Sequence, residues 1–134
     1  ALKTAVLRGV EVALVVSQVT DHILVNLAQR SFYFEILSAG IQVHLYEKSF
    51  LHAKHITFDS EIALLGSSNV DIRSFVLNAE VSLIAFDKSV VKQLGQEQDR
   101  YFASSRALSL RAWDKRPLIN KVAENVARLA SPLL

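Results

Sequence analysis

Residues 9–46 constrain the fold most. Gly9–Val16 is a short, β-branched, mostly apolar run that suits a buried strand. Ser17–Thr20 form a polar break. Thr20 or Asp21 can cap a helix reaching to about Ser38, with Gly40 as its stop. Ile23, Leu24, Leu27, Phe32, Phe34, Ile36 and Leu37 make that helix apolar nearly all round, so deep burial is expected. Ile41–Tyr46 alternates and reads as a second strand. Strand, helix, strand is a crossover unit, which implies parallel strands that are neighbours or nearly so. The fold class is therefore α/β.

Two strands are expected next, over about 51–58 and 61–66. The Asp59-Ser60-Glu61 link between them is short enough for a hairpin. Glu80–Phe86 reads as another strand. Helices then dominate, over 88–105 (Val90, Val91, Leu94, Tyr101) and 118–130. Leu118, Val122, Val126 and Leu129 share one face of the latter, and Pro117 suits its first turn.

A chain of 134 residues fits one domain with a real core. Its 51% hydrophobic content is high for so small a unit, so part of its surface is expected to be covered by something else, such as a partner domain. It starts without Met, directly on an apparent helix at Ala1–Arg8, and reads as part of a longer protein. The absence of cysteine excludes disulfides, thiolate metal sites and a cysteine nucleophile. No apolar run is long enough to span a bilayer, and the N-terminus has no secretory pattern. The formal charge of +2 hides an asymmetry. Residues 1–99 carry 8 basic and 11 acidic side chains, whereas residues 100–134 carry 7 basic against Asp114 and Glu124. The basic end is either a solvated helical surface or a contact for anionic lipid head groups. Nucleic acid is not expected as a partner, since its footprint is usually more basic.

One block carries chemistry. His52 and Lys54 stand two apart, Asp59 follows, and Gly66-Ser67-Ser68-Asn69 closes the next apolar run. On a strand, residues two apart share a face. An imidazole there can attack phosphorus while an ammonium neutralises its oxygens. Ser67 and Asn69 offer a hydroxyl and an amide to a phosphoryl group. Taken singly, each has a plainer explanation: a buried structural histidine, a solvent-facing lysine, good loop sequence. His55 falls on the opposite face from His52 and is not counted as a ligand or base. His22 and His44 stand apart from any metal-spaced cluster.

This block resembles the catalytic motif of the phospholipase D superfamily. The stretch from Asn69 to Leu83 looks more narrowly like the C-terminal half of bacterial cardiolipin synthases, as do Arg30–Glu35, Ala39-Gly40-Ile41 and Glu124–Leu134. The resemblance implies a phospholipase D-like mixed sheet flanked by helices, forming one of two pseudo-symmetric lobes. It implies phosphatidyl transfer between two phosphatidylglycerols at a bacterial membrane surface, through a phosphohistidine and without a cofactor or metal. His52 is nucleophile or general acid, Lys54 binds phosphate, and Glu80 accepts the other imidazole proton. Asp59 belongs to the same catalytic motif but sits at a strand end, where tying down the turn is its expected role. Arg73 and Ser74 match the synthase pattern, and Arg73 meets either a lipid phosphate or a carboxylate. Ala79 departs from the aromatic residue usual there. The superfamily builds its site from two motifs and this chain has one. The N-terminal lobe of the same protein, or a second copy, must therefore supply the other. The alternatives are a homodimeric phosphodiesterase acting on nucleic acid and a catalytically silent interaction domain. Trp113 suits a membrane interface or a domain core equally.

Overall fold

The crossover expected from residues 9–46 is present. After α1 (Leu2–Leu7), strand β1 (Ala13–Ser17) lies parallel to β2 (Gln42–Tyr46), with Ala13 opposite Gln42 and Ser17 opposite Tyr46. The structure, a computed structural model, describes residues 1–20, 22–69 and 78–130. These form two compact units, Ala1–Leu51 with Ser104–Leu134, and His52–Ala103.

In the first unit the expected long helix is two, α2 (Ile23–Ser31) and α3 (Tyr33–Ser38). The break has a local cause. Ser31 Oγ donates to the Ala28 carbonyl at 2.6 Å, and the Phe32 N–H turns back to Gln29 at 3.2 Å. Both tighten the last turn of α2. Gly40, with φ of +88°, ends α3 and donates its N–H to the Leu37 carbonyl. The cap of α2 differs from expectation. His22 occupies the position, and the Thr20 hydroxyl accepts the His22 N–H at 3.2 Å. Asp21 lies outside the described residues.

Deep burial of this helical stretch does not occur. Ala28 and Tyr33 are buried, but Ile23, Leu24 and Phe34 are at least half exposed. The reason is size: a three-stranded sheet and one partner helix cover only one side. That sheet is mixed, in the order β1-β2-β6, because β6 (Ser105–Ala107) joins β2 antiparallel. The core gathers Tyr33, Val43, Leu45 and Trp113, with Val16, Ile36, Leu37 and Leu108 packed around them. Burial pushes the Tyr33 hydroxyl up to about 12.

Trp113 sits on α5 (Leu110–Asp114) and is core, not surface. The Arg116 guanidinium lies 3.3 Å from its ring centre. Beside it Glu124, 3% exposed, accepts two bonds from Arg116 (2.5 and 2.9 Å) and one from Arg30 (3.1 Å). A buried carboxylate needs such partners. It thereby sets the rotation of α6 (Leu118–Ala130), which packs on α2. Glu124 and Ala127 turn inward. The shared face of Leu118, Val122, Val126 and Leu129 consequently turns outward.

The second unit is an antiparallel sheet, β3 (His55–Phe58), β4 (Ile62–Gly66) and β5 (Ser82–Ala85), backed by α4 (Lys88–Ala103). Asp87 Oδ1 caps α4 by accepting the N–H groups of Ser89 and Val90 at 2.9 and 3.0 Å. Thr57 Oγ1 donates to Gln98 at 2.7 Å, His55 stacks on Tyr101, and Ala63 and Val91 are sealed between sheet and helix. Alternation sends Ile56, Phe58, Ile84 and Phe86 to the other face, where all are exposed.

Candidate active site

β3 begins at His55, three residues later than His52 and well inside the strand expected over 51–58. The ladder nonetheless persists by backbone bonds. The Gly66 N–H donates to the Lys54 carbonyl at 3.1 Å, and the Ser67 N–H donates to the Val81 carbonyl at 3.0 Å. Lys54, Ser67 and Val81 are thus held at one end of the sheet, all inside the second unit.

Gly66 makes this closeness possible. A Cβ there would lie 2.6 Å from the Val81 carbonyl oxygen and 2.9 Å from Ser82 Oγ. Only a residue without a side chain lets β5 approach β4 so nearly. The glycine that opens Gly-Ser-x-Asn therefore has a backbone reason for being there.

His52 is exposed, and Lys54 Nζ lies 2.6 Å from His52 Nε2. An ammonium has only protons to give, so Nε2 accepts in this contact and the ring proton belongs on Nδ1. The two side chains therefore meet although neither belongs to a regular strand. Across the sheet end, Ser67 Oγ donates to Glu80 Oε2 and accepts the Val81 N–H at 3.1 Å. Asn78 Nδ2 reaches Glu80 Oε1 at 3.5 Å. Asn69 is exposed two residues beyond Ser67.

Two features of this arrangement were not legible in the motif. Ser67, read as a phosphate ligand, spends its proton on the Glu80 carboxylate. Asn78 joins that carboxylate from two residues upstream, a spacing that puts both side chains on one side of an extended segment. Arg73 and Ser74 lie outside the described residues.

Asp59 stands apart. It begins the β3–β4 hairpin with φ of +49°, followed by Ser60 at +57°, and the Glu61 N–H closes the turn on Phe58 at 2.9 Å. Aspartate tolerates this left-handed conformation better than most residues. Five strand steps from Lys54 amount to about 16 Å, so Asp59 belongs to the far end of the hairpin. His55 faces α4, and its burial there lowers its proton affinity. Among the described residues, no group of three or more His, Cys, Asp or Glu side chains could hold a metal ion. No described helix is long and apolar enough to cross a membrane.

Comparison with known proteins identifies the family. Residues 1–102 match the family described as cardiolipin synthase, PLD-like domain. Over all 134 residues the chain is similar to cardiolipin synthase A of Proteus mirabilis (strain HI4320), at 40% identity. It is similar at 42% to cardiolipin synthase A of Escherichia coli O157:H7 (strain EC4115 / EHEC). It spans 28% of the length of each. Its fold matches the crystal structure of a phospholipase D family member, NUC from Salmonella typhimurium, with a TM-score of 0.67 at 19% identity over 80% of this chain and 70% of that one. At that identity the likeness concerns the fold. The family match takes in the whole stretch from His52 to Glu80, and the chain belongs to the phospholipase D-like domain family of cardiolipin synthases.

Proposed function

We propose that these 134 residues act as one phospholipase D-like domain, supplying one of two half-sites for phosphatidyl transfer between two phosphatidylglycerols. The observation that carries this is the Lys54 ammonium set 2.6 Å from His52 Nε2, beside the Ser67–Glu80 pair at the same sheet end. Counting on in the sheet's register, His52 and Glu80 both fall opposite Ser68. That supports Glu80 as the group that receives the His52 ring proton and steadies its tautomer. An arriving phosphodiester oxygen would draw Lys54 off the imidazole and leave Nε2 facing phosphorus or the leaving oxygen.

In the proposed reaction a histidine nitrogen bonds to phosphorus as the phosphorus–oxygen bond to glycerol breaks. A second histidine gives that oxygen its proton, and glycerol leaves. The second histidine then takes the proton of a hydroxyl on another phosphatidylglycerol. That oxygen displaces histidine from phosphorus, giving cardiolipin. His52 fills one of these two roles. The other histidine comes from a further lobe or a second copy, because one imidazole cannot be attached to phosphorus and protonate the departing oxygen at once. The exposed apolar sheet face of Ile56, Phe58, Ile84 and Phe86 is consistent with a unit built to be covered.

The test is a chimera in which this chain replaces the matching 28% of Escherichia coli cardiolipin synthase A. Supplied with phosphatidylglycerol vesicles, it should form cardiolipin and glycerol. Its His52→Ala variant should lose at least about 10³ in kcat while keeping its melting temperature. Cardiolipin formed at an undiminished rate by the folded variant would contradict the assignment. So would a chimera that cleaves DNA and leaves phosphatidylglycerol untouched.

A further inference from the structure

Ser17 is the last residue of β1, opposite Tyr46 in the parallel ladder. The Gln18 N–H continues that ladder to the Tyr46 carbonyl at 2.9 Å. The Ser17 hydroxyl is thus carried by a sheet whose middle strand buries Val43 and Leu45. A hydroxyl has one proton and two lone pairs. Here the proton goes to the Val19 carbonyl at 2.7 Å, which shapes the turn that leaves β1. A lone pair accepts the Leu51 N–H at 3.0 Å, from 34 residues further along the chain. Leu51 is the residue before His52.

Residues 47–54 belong to no helix or strand, so a buried amide among them needs a partner from elsewhere. The Glu47 N–H finds the Ser104 carbonyl at 3.2 Å, and the half-buried Leu51 finds Ser17. On the far side of His52, the Lys54 carbonyl accepts the Gly66 N–H at 3.1 Å. His52 and Ala53 stand between these two anchors, and both are exposed. Packing does little to place an exposed side chain. The backbone on either side of His52 therefore governs where its imidazole stands. Without the Ser17 hydroxyl the Leu51 N–H would turn to water and the chain before His52 would drift, while Lys54 stayed tied to β4.

A serine at a strand end has a plain role in its own turn. The bond to Val19 is that role, and the bond to Leu51 goes beyond it. We propose that Ser17 is a positioning residue for His52, its hydroxyl holding the Leu51 amide and so setting the imidazole one peptide bond further on. Ser17 and Leu51 both belong to the first unit, and the effect reaches His52 through the chain itself. The consequence for turnover rests on the half-site reading of His52. The consequence for the position of the ring does not.

The first experiment is NMR on the 134-residue chain. The Leu51 amide should exchange with solvent about tenfold or more faster in Ser17→Ala than in the parent. The His52 ring signals should shift in the same variant. Ser17→Thr, which keeps a hydroxyl on the same carbon, should restore both. Thr20→Ala is the control. It removes a neighbouring hydroxyl, which accepts the His22 N–H at 3.2 Å, and should leave Leu51 and His52 as in the parent. The Gln18 amide should stay protected throughout, showing that the paired end of β1 is intact. Leu51 exchange unchanged by Ser17→Ala, or His52 signals that stay in place, would overturn the proposal. So would an equal effect from Thr20→Ala, which would make Ser17 an ordinary part of the turn. The second experiment uses the chimera. Ser17→Ala should lower kcat per folded molecule by about 10- to 100-fold and leave KM within about threefold, because Lys54 keeps its bond to β4. Full turnover by Ser17→Ala beside an inactive His52→Ala would also overturn the proposal. An active His52→Ala would instead sink the half-site reading, and Leu51 exchange with the ring signals would still decide whether Ser17 places His52.

Discussion

Substituting alanine at Gly66 and at Gly95 should move stability in opposite directions. At Gly66 the new Cβ would sit 2.6 Å from the Val81 carbonyl oxygen and 2.9 Å from Ser82 Oγ. Backbone cannot swing aside as a side chain can. β5 must withdraw by more than half an ångström, roughly, which strains the 3.0 Å bond from Ser67 to Val81. Overpacking of this kind costs about 1–3 kcal/mol. For a chain of this size that lowers the melting temperature by about 4–12 °C. The same withdrawal moves Glu80 away from Ser67. In the chimera, misplacement on this scale should reduce turnover by about one to two orders of magnitude. Gly95 lies within α4, and a Cβ there meets nothing within 4 Å. Alanine should stabilise that helix by about 0.5–1 kcal/mol and leave turnover unchanged. Thermal melts by circular dichroism, with turnover on the same samples, read both effects. A Gly66→Ala variant that melts and turns over like the parent would refute the close approach of β4 and β5. Two alanines with the same sign would refute the contrast.

Three shorter predictions follow from the same structure. Glu124→Gln should destabilise the chain by about 2–4 kcal/mol in urea titrations, because two arginines lose a buried carboxylate; Arg100→Ala, which breaks only the exposed pair with Glu97, should change it by less than about 0.5 kcal/mol. His55 is held below its ordinary proton affinity by burial, with Glu97 opposing weakly, so the unfolded chain takes up this proton first as pH falls. Stability from this group is therefore complete above about pH 6.5 and declines below it, and His55→Phe should flatten that decline in melts recorded from pH 7.5 downward. Asp59→Val should lower the melting temperature by straining the hairpin at φ of +49°, by about 1–2 kcal/mol, while turnover per folded molecule stays near the parent value.

The crossover was legible because its signals are local. β-branched runs mark β1 and β2, and Gly40 marks the stop of α3. The hairpin was legible in Asp59-Ser60-Glu61 for the same reason. What escaped depends on tertiary placement. β6 is a three-residue Ser-Arg-Ala strand with no β pattern of its own, defined by its pairing with β2. The division of α2 from α3 turns on one hydroxyl, Ser31, bonding back to Ala28. The apolar stripe of α6 was visible, but its direction was not. Glu124 decides that, through arginines 8 and 94 residues away in sequence. In the site, the meeting of His52 with Lys54 was expected from the spacing of a regular strand, yet the two meet on the irregular run that precedes β3. The bond from Ser67 to Glu80 was not legible, because the register of β4 with β5 creates it.

The most direct measurement is the position of a phosphoryl mimic. We predict that a crystal structure of the chimera with vanadate will place the vanadium beside His52 Nε2, with Lys54 Nζ and the Asn69 side chain each within about 3.2 Å of a vanadate oxygen. Lys54 will have left the imidazole for the oxyanion, and the Glu80 carboxylate will bond to the opposite ring nitrogen of His52. Vanadate bound elsewhere, or bound to His52 with Lys54 and Asn69 both turned away, would contradict the account.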